Sequence, residues 1–391
     1  MKWPLKRLAE LGVVSTGSTP STTETRFYGG DLPFVTPAEL DTGLPVTTAT
    51  RTLTEEGAAE ARPLPEGTVM VCCIGSLGKI GIAGRSVATN QQINSVVFDR
   101  NQVWPKYGYY ACRLLKPKME CMAPATTLPI ISKSKFAELE IPLPPLAEQR
   151  RIAEVLDRAE ALRAKRRAAL AEFDSLTQSL FLDLFGDPAA NPKQWPQVRL
   201  SDLFAASPIF GTMIPPSVDG GSWLSLRVGN IQDWQLDLSD QKFVELPLNT
   251  VERHAVKDGD MLMARAIASQ DHLGKAVIVH PGEQKWAFDS HLMRLRFNQS
   301  KALPEVIRHL LMTPGGRSLF LKAARRTAVQ FNINTKEMAA LNVPLPPIAL
   351  QQEFARRVGA VEKLKQAQRA ALAEQDALFA TLQHRAFRGE L

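Results

Sequence analysis

The sequence predicts an α+β fold in which two mixed α/β domains are separated by two long helices that pair as an antiparallel coiled coil. Three observations predict it. A proline-rich string occurs twice, 202 residues apart, which indicates an internal duplication with pseudo-twofold symmetry. A long run with apolar residues at spacings of three and four follows each string. Short β-rich runs between Gly, Pro and Asp turns fill the segments before the strings.

The duplicated string is the most informative feature. Residues 141–149 read IPLPPLAEQ, and residues 343–351 read VPLPPIALQ. A second match opens each half, where Trp3-Pro4 corresponds to Trp195-Pro196. Residues before proline avoid the α region, so each string must run extended, and a helix can start directly after it. Each string therefore marks the boundary between a domain and a long helix.

The first predicted helix has no Pro or Gly until Gly186, and the second ends near Gly389. At about 1.5 Å per residue, each helix is roughly 55 Å long. The predicted seams contain the following residues, with Val358 in place of Arg357 in the second: Ile152, Val155, Ala159, Leu162, Arg166, Ala169, Phe173, Leu176 and Leu180 in the first helix, and Phe354, Arg357, Val361, Leu364, Gln368, Ala371, Gln375, Leu378 and Leu382 in the second.

Antiparallel pairing of these seams makes three contact predictions. Arg166 should face Gln368 at the centre, because the two residues occupy matching positions 202 residues apart. Ile152 should lie near Leu382, and Leu180 near Phe354. A polar layer at the centre would fix the register of the pair.

The segments before the strings predict α/β domains, with strands at residues 69–74 and 276–279. The sheet order does not follow from the sequence. The predicted organisation is a first domain at 1–142, a string and helix at 143–187, a linker at 188–194, a second domain at 195–342, and a string and C-terminal helix at 343–391.

Composition limits the function classes. The 391 residues are 45% hydrophobic, which allows real cores, and the net charge of +7 favours an acidic partner such as nucleic acid. We expect no membrane span and no signal peptide, because no sufficiently long apolar run occurs. The spacing of the four cysteines fits neither zinc binding nor a disulfide framework, which indicates a cytoplasmic protein.

Enzyme motifs are weak in this chain. Residues 75–80 superficially resemble a phosphate-binding loop, but Ile80 cannot supply the hydroxyl that binds magnesium. Asp260 with Glu283 and Lys285 could be read as a nuclease triplet, but such triplets arise often by chance. The histidines show no metal-ligand spacing. The sequence therefore predicts no catalytic residue, no metal and no cofactor.

The order of domain, string and helix, occurring twice, resembles the specificity subunit of type I restriction–modification systems, the HsdS family. The resemblance covers essentially the whole chain and is carried by residues 141–152 and 343–348, with the helix endings at 185–187 and 387–391. One departure is Leu350, where the first copy has Glu148.

The resemblance implies a non-catalytic subunit. Each domain would be a target recognition domain that reads one half of a bipartite double-stranded DNA target. The helices would set the spacing between the half-sites and dock two methyltransferase subunits, and a restriction subunit could join the full complex. Two alternatives remain open: a specificity subunit of another multisubunit restriction system, and a structural coiled-coil adaptor whose domains bind proteins.

Candidate DNA-binding residues are polar or basic side chains beside predicted turns. Phosphate contacts favour Lys and Arg, whereas base edges favour Arg, Asn, Gln, Ser and Thr. The candidates are Lys79, Arg85, Asn90, Gln91, Gln92, Asn94 and Lys133 in the first domain, and Arg227, Asn230, Arg265, Gln270, Lys275, His291, Arg325, Arg326, Gln330 and Asn332 in the second.

Overall fold

The computed structural model describes residues 3–123, 128–267, 269–326 and 331–391. Its contacts divide the chain into two compact units. The first unit contains residues 1–170 and 367–391, and the second contains residues 171–366. The structure has the mixed α/β character that the sequence predicts.

The first unit contains strands β1 (Leu5–Arg7), β2 (Gly12–Thr16), β3 (Tyr28–Val35), β4 (Arg51–Leu53), β5 (Val69–Cys72), β6 (Ile80–Ile82), β7 (Ala88–Thr89), β8 (Ile93–Phe98) and β9 (Glu140–Pro142). Its helices are α1 (Leu8–Leu11), α2 (Glu55–Ala61), α3 (Pro105–Arg113), α4 (Lys116–Met122) and α5 (Lys133–Ala137). The long helix α6 (Leu146–Phe185) begins in this unit and ends in the second.

The second unit contains strands β10 (Gln197–Arg199), β11 (Phe204–Phe210), β12 (Trp223–Leu226), β13 (Ile231–Gln232), β14 (Gln235–Leu236), β15 (Phe243–Val244), β16 (Asp260–Ala264), β17 (Ala266–Ile267), β18 (Ala276–Val279), β19 (Trp286–Phe288), β20 (Leu292–Phe297), β21 (Arg325–Arg326), β22 (Phe331–Asn332) and β23 (Asn342–Pro344). Its helices are α7 (Val251–His254), α8 (Pro304–Met312), α9 (Pro314–Ala323) and α10 (Thr335–Ala340), and the long helix α11 (Ile348–Arg388) begins here and ends in the first unit.

The main sheet of the first unit has the strand order β2-β8-β5-β6, with every pairing antiparallel. A second sheet, β4-β3-β7, contains the parallel pair β3 and β7. All four residues of β5 are buried, as the apolar run from Val69 predicts. The predicted strand 69–74 stops at Cys72, because the chain turns at Gly75 with a φ of +77°.

The second unit repeats this topology. Its main sheet has the order β11-β20-β16-β18, again antiparallel, and the sheet β15-β12-β19 contains the parallel pair β12 and β19. The predicted strand at 276–279 is confirmed as β18. In each unit a short strand at the start of the domain pairs with the first residues of a proline-rich string, β1 with β9 and β10 with β23.

A buried glutamine fixes each proline-rich string to its unit. The Gln149 side chain accepts from the backbone N–H of Trp104 at 2.8 Å and donates to the carbonyls of Gln102 and Pro144 at 2.8 Å each. Gln351 makes the corresponding bonds in the second unit, accepting from the N–H of Leu303 and donating to two carbonyls. Both glutamines are fully buried, so the start of each long helix has a fixed position on its sheet domain.

The long helices end where the sequence predicts. Helix α6 stops before Gly186, which has a φ of +79°, and α11 stops before Gly389, which has a φ of +78°. Both glycines adopt the left-handed conformation that commonly ends helices. The two helices pack together, and Arg166 donates to Oε1 of Gln368 at 2.5 Å, which confirms the predicted central contact.

The predicted seam is right only in part, because Ile152, Phe354 and Val361 are buried as predicted whereas four of its leucines are not. Leu162, Leu176, Leu364 and Leu378 are between 45% and 57% exposed instead of lying in the contact. The buried line contains both predicted and other residues: Ile152, Ala153, Leu156, Glu160, Arg163, Thr177 and Phe181 on α6, and Phe354, Val358, Val361, Lys365 and Phe379 on α11. Charged pairs occupy the middle of this line, so apolar spacing alone selected the wrong leucines. Val358 does replace Arg357 at the contact, as predicted.

Each unit has its own main core. Ile152 is buried in the core of the first unit, and Leu382 packs against that core together with Phe379 and Phe387. In the second unit Phe354 is buried with Phe181 and Phe185, and Leu180 packs against them. None of the helices in the described part of the chain is both long and apolar enough for a membrane span.

Candidate nucleic-acid interface

Four candidate residues lie at one edge of the main sheet of the first unit. Here β2 and β5 end while β8 and β6 begin, because neighbouring strands are antiparallel. Residues 90–92 form a turn just before β8, and Lys79 lies just before β6. The backbone N–H of Cys73 bonds to the carbonyl of Gln92 at 2.7 Å and joins the turn to the end of β5. We call this region the first edge.

The turn at the first edge fixes the orientation of two side-chain amides. Asn90 is buried; its Oδ1 accepts from the backbone N–H of Gln92 at 3.1 Å, and its Nδ2 donates to Oε1 of Gln92 at 2.9 Å. The Thr19 hydroxyl donates to Oε1 of Gln91. Among the described residues, neither Gln91 nor Gln92 bonds through its amide nitrogen. Both amides therefore keep free N–H donors.

The other candidates of the first domain have different surroundings. Asn94 is 3% exposed and accepts from the Thr16 hydroxyl at 2.7 Å, so it holds β2 and β8 together instead of facing solvent. Arg85 follows the opposite end of β6, away from the first edge, and forms an ion pair with Asp31. Lys133 is exposed at the start of α5, two residues after Ile131, which bonds to the carbonyl of Cys73.

The corresponding edge of the second unit brings together Arg265, His291 and Asn332. The backbone N–H of Arg265 bonds to the carbonyl of His291 at 2.9 Å. Its guanidinium donates to the carbonyl of Ser290 at 2.8 Å and to Oδ1 of Asn332 at 2.9 Å, and it lies 4.0 Å from the centre of the Phe210 ring. Partial burial lowers the pKa of Arg265 from its usual value. We call this region the second edge.

A carboxylate replaces the buried amide in the turn of the second edge. Oδ1 of Asp289 accepts from the backbone N–H of His291 at 3.0 Å, and its Oδ2 lies 3.6 Å from Nδ1 of His291. Burial raises the pKa of Asp289 above its usual value, although the nearby His291 opposes that rise. The His291 side chain is 54% exposed, so the imidazole is presented to solvent beside Arg265.

The remaining candidates of the second domain are dispersed or engaged. Arg227 pairs with Asp240 at 2.9 Å, and Asn230 is buried. Lys275, just before β18, pairs with Asp233 at 3.1 Å. Gln270 is exposed in the loop between β17 and β18. The backbones of Arg325 and Arg326 form β21, whereas their side chains and the whole of Gln330 lie outside the described residues.

Sequence reasoning missed the residues that orient these side chains. Thr19 lies in the run STGSTPSTT at residues 15–23, whose composition indicates a loop and could have drawn attention to it. Asp289 and Phe210 carried no such signal, because their roles depend on strands that are distant in sequence. Asp260, considered above for a nuclease triplet, is fully buried and accepts two bonds from Arg296 at 2.6 and 2.7 Å. Within the described residues no acidic, histidine or cysteine side chains cluster as metal ligands would.

Comparison with known proteins finds similarity to one family. Residues 1–172 match the family model of the type I restriction modification DNA specificity domain. Over these residues the chain is similar to the type I specificity family. The specificity subunit of the type I restriction enzyme EcoKI from Escherichia coli K12 is 28% identical over 297 residues, which cover 71% of this chain and 63% of that protein. The MjaIX specificity subunit from Methanocaldococcus jannaschii is 28% identical over 222 residues, 51% of each chain.

The chain spans between half and two thirds of the length of these two relatives. Two solved structures have a fold similar to that of this chain. The type I restriction-modification S subunit from M. genitalium has a TM-score of 0.56 at 16% identity and covers 99% of this chain and 96% of its own. A chain from a study of complex assembly in the type I R-M system has a TM-score of 0.54 at 19% identity, and the match covers 100% of this chain and 98% of that chain.

Proposed function

We propose that this chain is the DNA-specificity subunit of a type I restriction–modification complex and that each unit reads one half of a bipartite double-stranded target. One observation carries the proposal. Two sheets with the same strand order present, at the same edge, two turns of the same backbone form but different side chains. Such a pair of edges suits two half-sites of different sequence.

The candidate residues divide by their chemistry. Lys79, Lys133 and Lys275 would contact phosphates, together with Arg325 and Arg326, and their attraction depends on salt rather than sequence. Gln91, Gln92, Arg265, His291 and Asn332 would face base edges. The net charge of +7 supports phosphate contact, and we expect tight binding only together with partner subunits.

We further propose that the two halves are an internal duplication and that α6 and α11 form an antiparallel coiled coil. Two ion pairs between the long helices support both the duplication and the antiparallel pairing. Arg163 on α6 pairs with Asp376 on α11, and Lys365 on α11 pairs with Asp174 on α6, at 2.6 Å each. The two basic residues, Arg163 and Lys365, lie 202 residues apart, and so do the two acidic residues, Asp174 and Asp376. This is the offset of the proline-rich strings.

The long helices would set the distance between the half-sites. Their 40 and 41 residues correspond to about 60 Å, longer than one 34 Å turn of DNA. Their exposed leucines, Leu162 and Leu176 on α6 and Leu364 and Leu378 on α11, would offer contact area to two methyltransferase subunits. A restriction subunit would complete the complex.

The chain would recognise DNA without catalysing a reaction and without a cofactor, in the cytoplasm. The proposed domain boundaries are 1–142 and 195–342 for the recognition domains, with a linker at 188–194 and a string and long helix after each domain. The two short strand pairs, β1 with β9 and β10 with β23, support these limits, because they close each domain near its ends.

The decisive experiment is methylated-base sequencing in a host that carries this chain with its methyltransferase. The expected result is methylation at a single bipartite motif, and none when the chain is omitted. Methylation without any sequence preference would overturn the proposal. Retention of the complex on protein partners but not on target DNA would favour the adaptor alternative instead.

A further inference from the structure

We propose that the first unit reads an adenine through Gln92 and that the second unit reads a guanine through Arg265. This inference rests on the proposed function and deepens it, because it assigns a base to each edge. It follows from comparing the two turns position by position, since the backbones match while the side chains differ.

Backbone bonds establish which positions correspond. The N–H of Cys73 bonds to the carbonyl of Gln92 at 2.7 Å, and the N–H of Arg265 bonds to the carbonyl of His291 at 2.9 Å. The carbonyls of Cys73 and Arg265 in turn accept from Ile131 and Ile333 at 2.8 and 3.0 Å. Arg265 therefore occupies the position of Cys73, and His291 occupies the position of Gln92.

The first edge presents an amide with both bonding capacities. Asn90 occupies one lone pair of Oε1 of Gln92, which fixes the plane of the amide. The second lone pair and both N–H groups of Gln92 make no bond within the described part of the chain. Adenine offers a donor at N6 beside an acceptor at N7 in the major groove, and a Gln or Asn amide matches this pair bidentately.

The second edge presents a side chain that can only donate. The guanidinium of Arg265 is held by the carbonyl of Ser290, by Oδ1 of Asn332 and by the Phe210 ring. Each of its terminal nitrogens uses one N–H in these bonds and retains another. Guanine offers two acceptors, O6 and N7, which an Arg fork matches, whereas the N6 donor of adenine finds no acceptor on a guanidinium.

The partners of Arg265 also reduce the entropy cost of binding. A free arginine side chain must be ordered when it contacts a base, whereas this one is already fixed on three sides. Cys73 in the first unit is buried and cannot replace it. The two half-sites should therefore differ in the base that each turn selects.

The test uses the full chain in complex with its methyltransferase, after the wild-type target has been determined. Gln92→Ala should lower discrimination at one A·T pair of one half-site by on the order of tenfold. Arg265→Ala should do the same at one G·C pair of the other half-site. The measurement is the methylation rate on duplexes that carry each single-base change. Gln102→Ala, an exposed position beyond the opposite end of β8, is the control and should leave both half-sites unchanged.

The Arg265→Lys variant guards against misfolding, because it keeps the charge but cannot form the bidentate contact; it should lose the same G·C discrimination. Unchanged half-sites in both Gln92→Ala and Arg265→Lys, or changes that fall in the same half-site, would overturn the inference while leaving the proposed function intact. A wild-type complex without a bipartite target would instead overturn the proposed function itself.

Discussion

Arg163 on α6 and Asp376 on α11 form an ion pair at 2.6 Å, and the same arrangement recurs in the second unit with the helices exchanged, between Lys365 and Asp174. Arg163 and Lys365 are both nearly buried, with side chains 10% and 6% exposed. Buried charges of this kind contribute little net stability, but they disfavour other registers, in which they would lose their partners. The pairs therefore explain how two helices with an interrupted apolar seam keep one register.

The first prediction compares two glutamates at matching positions. The side chain of Glu160 is 5% exposed and accepts from Arg113, Arg163 and Arg167, whereas that of Glu362 is 41% exposed and bonds to Lys365. Glu160→Gln should lower the free energy of unfolding of the first unit by about 3 kcal/mol, because it leaves buried arginine charge undercompensated. Glu362→Gln should cost less than about 1 kcal/mol in the second unit.

Chemical denaturation followed by hydrogen exchange would measure both effects and assign each to its unit. Equal losses for the two variants would show that the burial of Glu160 does not matter. A further variant, with Glu160 and Arg163 both replaced by Leu, should recover part of the lost stability, because it removes the most buried arginine together with the carboxylate, whereas Arg113 still loses its partner.

The second prediction concerns the glutamines of the proline-rich strings. Gln149→Ala or Gln351→Ala leaves one N–H and two carbonyls of the backbone, each partly or fully buried, without their partner in its unit. Each variant should lower the free energy of unfolding of its own unit by on the order of 3 kcal/mol. The matched control is Gln352→Ala, because Gln352 is exposed and directly follows Gln351. If Gln352→Ala destabilises the chain as much as Gln351→Ala, the buried bonds are not the cause.

The third prediction is a pH dependence centred on His309. This side chain is buried, its ring lies 5.2 Å from that of Phe354, and burial lowers the pKa of His309 from 6.5 to about 3. Between these values the unfolded chain binds a proton that the folded chain excludes. Stability of the second unit should therefore fall as pH decreases from about 6.5, with a contribution of up to about 1.4 kcal/mol per pH unit.

The test compares the free energy of unfolding of His309→Gln and the wild type from pH 7.5 to 4.5. The variant should lose less stability on acidification, even if it is less stable at pH 7.5. His280→Gln, at a side chain that is 63% exposed, controls for the substitution itself. Identical pH slopes for His309→Gln and the wild type would contradict the assignment.

The sequence predicted the parts of this molecule that are written in local patterns. The two strings, the glycines that end the long helices, strand β18 and the contact between Arg166 and Gln368 follow from proline restriction, glycine conformation and the 202-residue offset. The helix seam was right at Ile152, Phe354 and Val361 but wrong between them, because the buried line there contains Glu160, Arg163 and Lys365 instead of leucines. Charge burial depends on partners from the other helix, which spacing does not reveal.

For a similar reason, the sequence indicated only in part which candidate residues lie together. Gln91 and Gln92 do lie at a sheet edge, and Arg265 does contact Asn332. Arg85, Asn94 and Asn230 were selected by residue type alone. Arg85 follows the opposite end of β6, and Asn94 and Asn230 are buried. Residue type indicates which groups could bind DNA, whereas the pairing of distant strands decides which of them are exposed together.

The last prediction tests whether the second recognition domain can be exchanged as a module. Replacing residues 195–342 with the corresponding domain of a type I specificity subunit should change one half of the DNA target and leave the other half and the spacer unchanged. The junctions favour this result. The exchange cuts within the pairing of β10 with β23, where Val198 lies opposite Val343, and these strands bond through their backbones, which all sequences share.

The string and Gln351 are retained in this exchange, so the new domain must supply the backbone groups that Lys301 and Leu303 offer to Gln351. Donor domains should therefore be chosen with the same spacing between that segment and the string. Methylated-base sequencing of the hybrid in its host is the measurement, and hydrogen exchange would confirm that both units are folded. A folded hybrid that changes both half-sites, or neither, would show that the recognition domains do not read DNA independently.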